Sequence, residues 1–286
     1  VFEADEGMDK LIITVAPTGN VPTKAQNPHL PVTPEDIADT AYRCWQIGAS
    51  IVHVHARDDQ GRPALDPDVF ARIYELTSGR CDIIVQISTG GRAGMDLEAR
   101  AAAVRRLRPE MASLTTGSMN FPHRVYENPF TTIEYLAQAM QEAGTKPEME
   151  IFEAGMIANA QLLVERGLAT EPLHYNFVLG SRGSLPATPK TLLHLSELIP
   201  SNASWTASGL GRWQLPMNAL ALVMGGHVRV GLEDNLYYRK GELASNEQLV
   251  ERMVRLADEL GRPVARPDEA RTILQLTPSQ QHKSDA

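Results

Sequence analysis

The sequence predicts a single α/β domain folded as a (β/α)8 TIM barrel. Short apolar, β-branched segments alternate with longer helical patterns eight times, with no long structureless stretch between them. No shift in composition and no linker divides the 286 residues. Polar side chains recur at the carboxyl ends of the apolar segments, where a barrel gathers its chemistry. A doubly wound open sheet is the competing arrangement. No Gly-x-Gly-x-x-Gly follows the first strand, which counts against a dinucleotide-binding form of that sheet.

Taken in order, the strands fall near Leu11–Ala16, Ser50–Ala56, Ile83–Ser88, Met111–Thr115, Met149–Glu153, His174–Leu179, Ser204–Ser208 and Val228–Glu233. Helical stretches lie between them. Thr33-Pro34-Glu35-Asp36 is a helix start, with Thr33 as N-cap, Pro34 at the first position and Asp36 three residues on. Asn246 through Gly261 is apolar at helical spacing (Leu249, Val250, Met253, Leu256, Leu260) and ends on a glycine followed by Pro263. Residues 1–9 read as an N-terminal extension. They are acidic and lack the basic-then-apolar layout of a secretion signal, and Met8 is one candidate for the natural start. The tail 277–286 is polar and expected to be flexible.

Composition narrows the function. Hydrophobic residues make up 43% and charged residues 22%, as in an ordinary soluble enzyme. No apolar run approaches a membrane span. A net charge of -8 gives no electrostatic case for binding nucleic acid or an anionic membrane. Cys44 and Cys81 lie far apart in no motif and fit reduced thiols of a cytoplasmic protein.

The densest chemical signal is Ser50-Ile51-Val52-His53-Val54-His55-Ala56-Arg57. Side chains on a strand alternate, so His53 and His55 share one face. Two such imidazoles can grip one metal ion, and zinc suits them. The plain alternative is a pair of hydrogen-bonded interior histidines. Further polar groups follow: Ser88-Thr89-Gly90-Gly91-Arg92 after strand three; Ser113, Thr115 and Thr116 on strand four; Glu148, Glu150 and Glu153 on strand five; and Arg229, Glu233, Asp234 and Asn235 on strand eight. A buried carboxylate is costly unless paired or metal-bound, so packing alone does not explain several acids in one barrel mouth.

Glu233 is the natural third ligand, since two histidines and a carboxylate make a catalytic zinc set with one position open. Its alternative is a structural ion pair with Arg57 or Arg229. Asp234 would point away on a regular strand, but a bend at the strand end would bring both acids inward. Arg229 beside Asp234 would hold it ionised, ready to take a proton made acidic by a metal-bound carbonyl. The alternative is an ion pair that only closes the barrel. Gly90-Gly91 with Gly94 and Gly209-Leu210-Gly211-Arg212-Trp213 are loops where a ligand could approach the backbone, with Arg212 a candidate for an anionic cofactor. His29, His123, His174, His194 and His227 show no ligand spacing, and His174 opens strand six at the wrong end for chemistry.

Together these residues resemble the β-keto acid cleavage enzymes, the family that includes 3-keto-5-aminohexanoate cleavage enzyme. The resemblance runs from Leu11 to about Leu276. It is carried by Thr18-Gly19, Leu30-Pro31-Val32-Thr33-Pro34-Glu35, Val52–Arg57, Gln86–Gly91, Pro109-Glu110-Met111-Ala112, Phe177-Val178-Leu179-Gly180 and Gly209–Trp213, and most specifically by Gly225–Asn235. It implies a zinc-dependent barrel that converts a β-keto acid and acetyl-CoA into acetoacetate and a new acyl-CoA by Claisen and retro-Claisen steps. Carried over by motif, His53, His55 and Glu233 would bind zinc. Asp234, supported by Arg229, would be the base. Ser88, Gly91, Ser113 and Glu150 would line the substrate site, Ser113 standing where the amino-ketohexanoate enzyme has threonine. The resemblance also implies a homo-oligomer, a tetramer above all.

One departure bears on substrate. Where the amino-ketohexanoate enzyme has a glutamate for the substrate amine, alignment through Thr18-Gly19 puts Val21. A valine cannot neutralise an ammonium group, so a neutral or apolar tail is expected, with Lys24 leaving an acidic one open. A metal-dependent hydrolase of the amidohydrolase type, a metal-dependent aldolase and a non-catalytic barrel with structural zinc are the rival readings. The first wants its histidine pair on strand one, the second needs no acetyl-CoA, and the third wants a fourth protein ligand that is not evident.

Overall fold

Eight short parallel strands close on one another. In chain order they are β1 (Ile13–Val15), β2 (Ile51–Val54), β3 (Ile84–Ile87), β4 (Met111–Thr115), β5 (Lys146–Ile151), β6 (His174–Leu179), β7 (Ser204–Gly209) and β8 (His227–Val230). Each pairs with its neighbours in sequence, and β8 pairs with β1 to seal the barrel. The helices are α1 (Pro34–Ile47), α2 (Pro67–Ser78), α3 (Leu97–Leu107), α4 (Phe130–Ala143), α5 (Gly155–Glu165), α6 (Pro189–Leu198), α7 (Gln214–Val223), α8 (Asn246–Glu259) and α9 (Pro267–Leu274). The structure is a computed structural model that describes residues 9–91, 96–122 and 124–277. The expected extension up to residue 8, the tail from residue 278, and Arg92, Gly94 and His123 lie outside the described residues.

The strand period explains how apolar and polar residues are sorted. Ile13 and Val15, Val52 and Val54, Val85 and Ile87, and Ala112 and Leu114 face outward and pack under the helices in the main apolar core. Each valine, leucine or isoleucine among them contributes about 1.5–3 kcal/mol on burial. The alternate residues face the barrel axis. At the amino end Ile12, Ile51, Ile84 and Met111 form an apolar floor, closed from below by Ala270 and Leu274 of α9. Above that floor the interior turns polar: Thr14, His53, Gln86, Ser113, Glu148, Asn176, Thr206 and Arg229 are all buried.

Helix ends follow the sequence signals. The Thr33 hydroxyl accepts from the Asp36 amide at 3.1 Å with Pro34 in the first turn, and Gly48 closes α1 at φ 137°. Ser245 and Gln248 form a capping box on α8.

Six strands differ from their expected limits: β3 loses one residue at each end, β7 gains Gly209, and four others differ for a visible reason or by more. β1 is trimmed at both ends. β2 stops at Val54, because Ala56 and Arg57 leave the barrel to pair with Pro63 and Ala64. β5 starts three residues early, at Lys146. It opens on a lysine and a proline; the Lys146 ammonium is tucked under the floor and donates to the carbonyls of Pro172 (2.8 Å) and Leu274 (2.6 Å). Glu153 therefore falls beyond the strand. β8 ends at Val230, since Gly231 at φ 140° turns the chain.

Candidate active site

That turn after β8 builds the site. A Cβ on Gly231 would strike the Ala16 carbonyl, so only glycine lets the chain cross the end of β1 so closely. The turn is locked by Glu233 N–H donating to Ala16 O (3.1 Å) and by Asn235 N–H donating to Gly231 O (3.1 Å). It swings both Glu233 and Asp234 toward Arg229, as the bend expected from the sequence requires. Arg229 Nη2 donates to Glu233 Oε1 at 2.7 Å, and Nε donates to Asp234 Oδ2 at 2.8 Å. A third bond runs from Nη2 to Asp234 Oδ1 at 3.2 Å.

His53 and His55 reach the same place from β2 and the residue after it. His53 Nε2 lies 3.2 Å from His55 Nε2, and Glu233 Oε1 lies 3.2 Å from His55 Nε2 and 3.9 Å from His53 Nε2. His53, His55 and Glu233 are the one group among the described residues whose donor atoms converge as a metal would require. Tetrahedral zinc with bonds of about 2.1 Å sets its ligand atoms roughly 3.4 Å apart, so the trio fits an ion with little movement. Glu233 Oε2 is buried with no hydrogen-bond partner, an acceptor left over after Arg229 and the histidines are counted. Gln86 Oε1 holds His53 Nδ1 at 2.6 Å, which leaves Nε2 facing the trio.

The charges set each other. Burial, with Arg229 beside it, pushes His53 down to about 3, so the imidazole is neutral, the form that binds metals. Burial works against the Glu233 charge, but His55, Arg229 and His53 outweigh it and hold its carboxyl well below the usual range. For Asp234 burial wins: its carboxyl is raised although Arg229 opposes the rise. Burial also raises Glu150, which accepts from Thr115 Oγ1 at 2.6 Å and stands 3.9 Å from Arg229 Nη1.

The other expected residues are placed as follows. Ser88 is buried at the end of β3, where its hydroxyl accepts from the Gly90 amide at 3.2 Å. A Cβ on Gly91 would lie 2.7 Å from Arg100 Cδ. Arg100 in turn holds the Thr89 carbonyl at 2.8 Å, so this loop is fixed by a buried arginine. Ser113 sits one layer lower, level with Glu148 across the β4–β5 pair. Glu153 takes no part in the cluster.

Arg57 does not pair with Glu233. It spends its donors on the carbonyls of Thr18, Gly19, Pro22 and Gly61, pinning the loop after β1 beside the trio. Val21 rides that loop, 75% exposed. Lys24 is exposed and paired with Asp36 at 3.2 Å. Arg212 is exposed and lies over the Trp213 ring, 4.5 Å from its centroid. Sequence reasoning missed Gln86, Arg100 and the carbonyl-binding role of Arg57. A glutamine inside Ile83-Ile84-Val85-Gln86-Ile87 was the available signal for the first; Arg57 stood in the histidine motif but was weighed only as an ion-pair partner of Glu233, and nothing in the sequence marked Arg100.

No helix among the described residues is long and apolar enough to cross a membrane. A family model described as beta-keto acid cleavage enzyme matches residues 10–276. The 3-keto-5-aminohexanoate cleavage enzyme of Fusobacterium nucleatum is 48% identical over 273 residues, covering 94% of this chain and 99% of that protein. The 3-oxoadipate:acetyl-CoA acetyltransferase of Cupriavidus necator is 41% identical over 270 residues, covering 93% and 94%. The solved binary complex of ObcA with oxaloacetate superposes with a TM-score of 0.75 over 88% of this chain and 68% of that one; at 21% identity it speaks for the fold alone. With the barrel closed, the acids and imidazoles gathered at its mouth and relatives alike along almost their whole length, this chain belongs to the beta-keto acid cleavage enzyme family.

Proposed function

We propose that this enzyme condenses a β-keto acid with acetyl-CoA to give acetoacetate and a new acyl-CoA, with zinc held by His53, His55 and Glu233 and with Asp234 as the base. The observation that carries the reading is the convergence of those three donor atoms next to a carboxylate clamped by Arg229. An ion bound there supplies Lewis acidity to a substrate carbonyl. Asp234 takes the proton from the carbon between the two carbonyls of the β-keto acid, and Arg229 fixes both its oxygens for that transfer. The resulting carbanion attacks the acetyl-CoA thioester and expels the coenzyme A thiolate. The thiolate then adds to the former keto carbon. Cleavage of the old carbon–carbon bond releases acetoacetate, which regains its proton from Asp234. Ser88, Gly91, Ser113 and Glu150 line the substrate, and Arg212, exposed over Trp213, is the candidate partner for the phosphates of coenzyme A.

Val21 supports a neutral or apolar substrate tail, because its side chain offers an ammonium group no counter-charge. Lys24 offers weaker support for an acidic tail, since it is already paired with Asp36. The chain is read as one domain, 1–286, assembling as a homo-oligomer, a tetramer by family resemblance; light scattering measures that directly.

The test is metal analysis of the purified protein, then a panel of β-keto acids scored for acetoacetate with and without acetyl-CoA. Acetoacetate that requires both substrates is expected. Cleavage that proceeds without acetyl-CoA would assign an aldolase or a hydrolase instead.

A further inference from the structure

A hairpin beside the site carries a hydroxyl that the proposed reaction does not use. Beyond the end of β4, Met119–Phe121 pairs antiparallel with Arg124–Tyr126. Tyr126 is 8% exposed. Its Oη accepts from Arg100 Nη2 at 3.4 Å, and a guanidinium can only donate, so the phenol keeps its own proton. Ser88 Oγ is in the same state, accepting from the Gly90 amide at 3.2 Å. Among the described residues neither hydroxyl proton has an acceptor within hydrogen-bond distance.

Both hydroxyls flank one open point. A Cβ on Gly90 would sit 3.3 Å from Ser88 Oγ, 3.6 Å from Tyr126 Oη and 4.0 Å from His55 Cε1. The φ of Gly90 lies outside the left-handed region, so its backbone does not demand glycine. The missing side chain leaves that point clear, between two hydroxyl donors and beside an imidazole of the trio.

The cation behind Tyr126 indicates the charge that belongs there. Arg100 is 5% exposed, and its guanidinium spends its bonds on neutral acceptors: the Thr89 carbonyl at 2.8 Å, Asn128 Oδ1 at 2.9 Å and Tyr126 Oη. Among the described residues no carboxylate stands within ion-pair distance of it. A buried arginine is ordinarily paired. Asn128 is tied to β4, donating from Nδ2 to the Thr115 carbonyl at 3.3 Å, which anchors the bracket to the barrel. An anion over Gly90 would give the guanidinium a counter-charge and both hydroxyls an acceptor.

The geometry points to Tyr126 as a binding residue for the carboxylate of the β-keto acid, with Arg100 as the positioning residue that occupies the acceptor side of the phenol and leaves its proton for the ligand. The proposal rests on the β-keto acid reading given above. A β-keto acid carries its carboxylate two bonds from the keto carbon. A keto oxygen at His53, His55 and Glu233 therefore brings the carboxylate into the neighbourhood of Gly90. In the proposed reaction the same carboxylate leaves in acetoacetate, so substrate and product share the contact.

The experiment titrates acetoacetate and its uncharged methyl ester calorimetrically into the metal-loaded protein without acetyl-CoA, with circular dichroism and melting temperature as checks of folding. Tyr126→Phe keeps the ring beside Phe121, 5.9 Å between centroids, and removes only the hydroxyl. It is expected to weaken acetoacetate about tenfold or more, the effect of losing a hydrogen bond to a charged group. The ester, an uncharged and weaker acceptor, loses less than about threefold. KM for the β-keto acid rises in step, while KM for acetyl-CoA holds. Arg100→Lys keeps the charge but removes the Nη2 donor. It is expected to weaken acetoacetate several-fold alone and less than about twofold on top of Tyr126→Phe, because the arginine acts through the phenol.

A Tyr126→Phe protein that binds acetoacetate as tightly as wild type overturns the proposal. Equal weakening of both probes overturns it too, since a phenol that only holds the fold together does not distinguish them. Losses that add in full in the double variant remove the role given to Arg100. If Arg100→Lys does not fold, Arg100→Gln takes its place in the same cycle. Wild type that binds neither probe and forms no acetoacetate from any β-keto acid removes the β-keto acid reading itself, whereas wild-type binding untouched by Tyr126→Phe removes only this assignment.

Discussion

Gly19 leaves no room for a side chain beside Glu233. A Cβ on this glycine would run into Cγ of the glutamate, and its φ of 59° already lies where only glycine is at ease. The loop after β1, which Arg57 grips by its carbonyls, is thus packed directly against a proposed metal ligand from the far end of the chain.

Gly19→Ala is therefore expected to act twice. Left-handed strain costs about 1–2 kcal/mol of stability. Displacement of Glu233 should weaken zinc binding by at least tenfold. Chelator competition and urea unfolding on the same protein separate the two. Unchanged zinc affinity would mean that Glu233 yields without losing its role.

Asp234→Asn should lower kcat by about 10²- to 10⁴-fold, the usual range for a lost general base, while metal content stays at the wild-type level. Single-turnover kinetics and metal analysis check it. A fall of less than tenfold would point to another base, with Glu150 the nearest alternative carboxylate on Arg229.

Val21→Glu should raise kcat/KM for 3-keto-5-aminohexanoate about tenfold or more, by giving its ammonium group a partner. Wild type should prefer uncharged β-keto acids of equal length. A wild-type enzyme that turned over the amine-bearing acid faster would contradict the reading of this position.

Acid should destabilise the fold through histidines remote from the reaction. Burial, reinforced by Arg262, pushes His227 down to about 3, and burial with His227 and Lys146 nearby lowers His174 well below its ordinary value. Both are neutral when folded, whereas the unfolded chain binds their protons below about pH 6.5. Their contribution is complete above that pH. It falls as pH drops from about 6.5 toward 3, by about 1.4 kcal/mol per pH unit for each histidine. The His227 Nδ1 accepts from the Ile12 amide at 3.2 Å, a bond that a glutamine carbonyl can replace. Urea unfolding between pH 7 and 5 should show a shallower loss in His227→Gln than in wild type. An equal slope would assign the acid sensitivity elsewhere.

Much of this was legible because strand period and β-branching are local. Val52-His53-Val54-His55 fixes two imidazoles on one face whatever the rest of the chain does, and the barrel follows from eight such runs. The bend that brings Glu233 and Asp234 inward was legible as a need but not as a cause. Its cause is Gly231 crossing Ala16, a contact between the two ends of the chain. Lys146 hid the start of β5 because its ammonium finds carbonyls on the β5–β6 connection and α9. Gln86 was visible as a polar residue in an apolar run, and Glu148 as one of three acids near strand five. Their shared place inside the barrel depends on the closed register of strands β3, β4 and β5.

The most direct test of the central claim is X-ray absorption at the metal edge of the purified enzyme, with one ion counted per chain. The account predicts two imidazole nitrogens, one carboxylate oxygen and an exchangeable position that changes when a β-keto acid is added. It also predicts loss of the ion in His53→Ala and Glu233→Ala. An ion bound undiminished in both variants, or a first shell without imidazole, would contradict it.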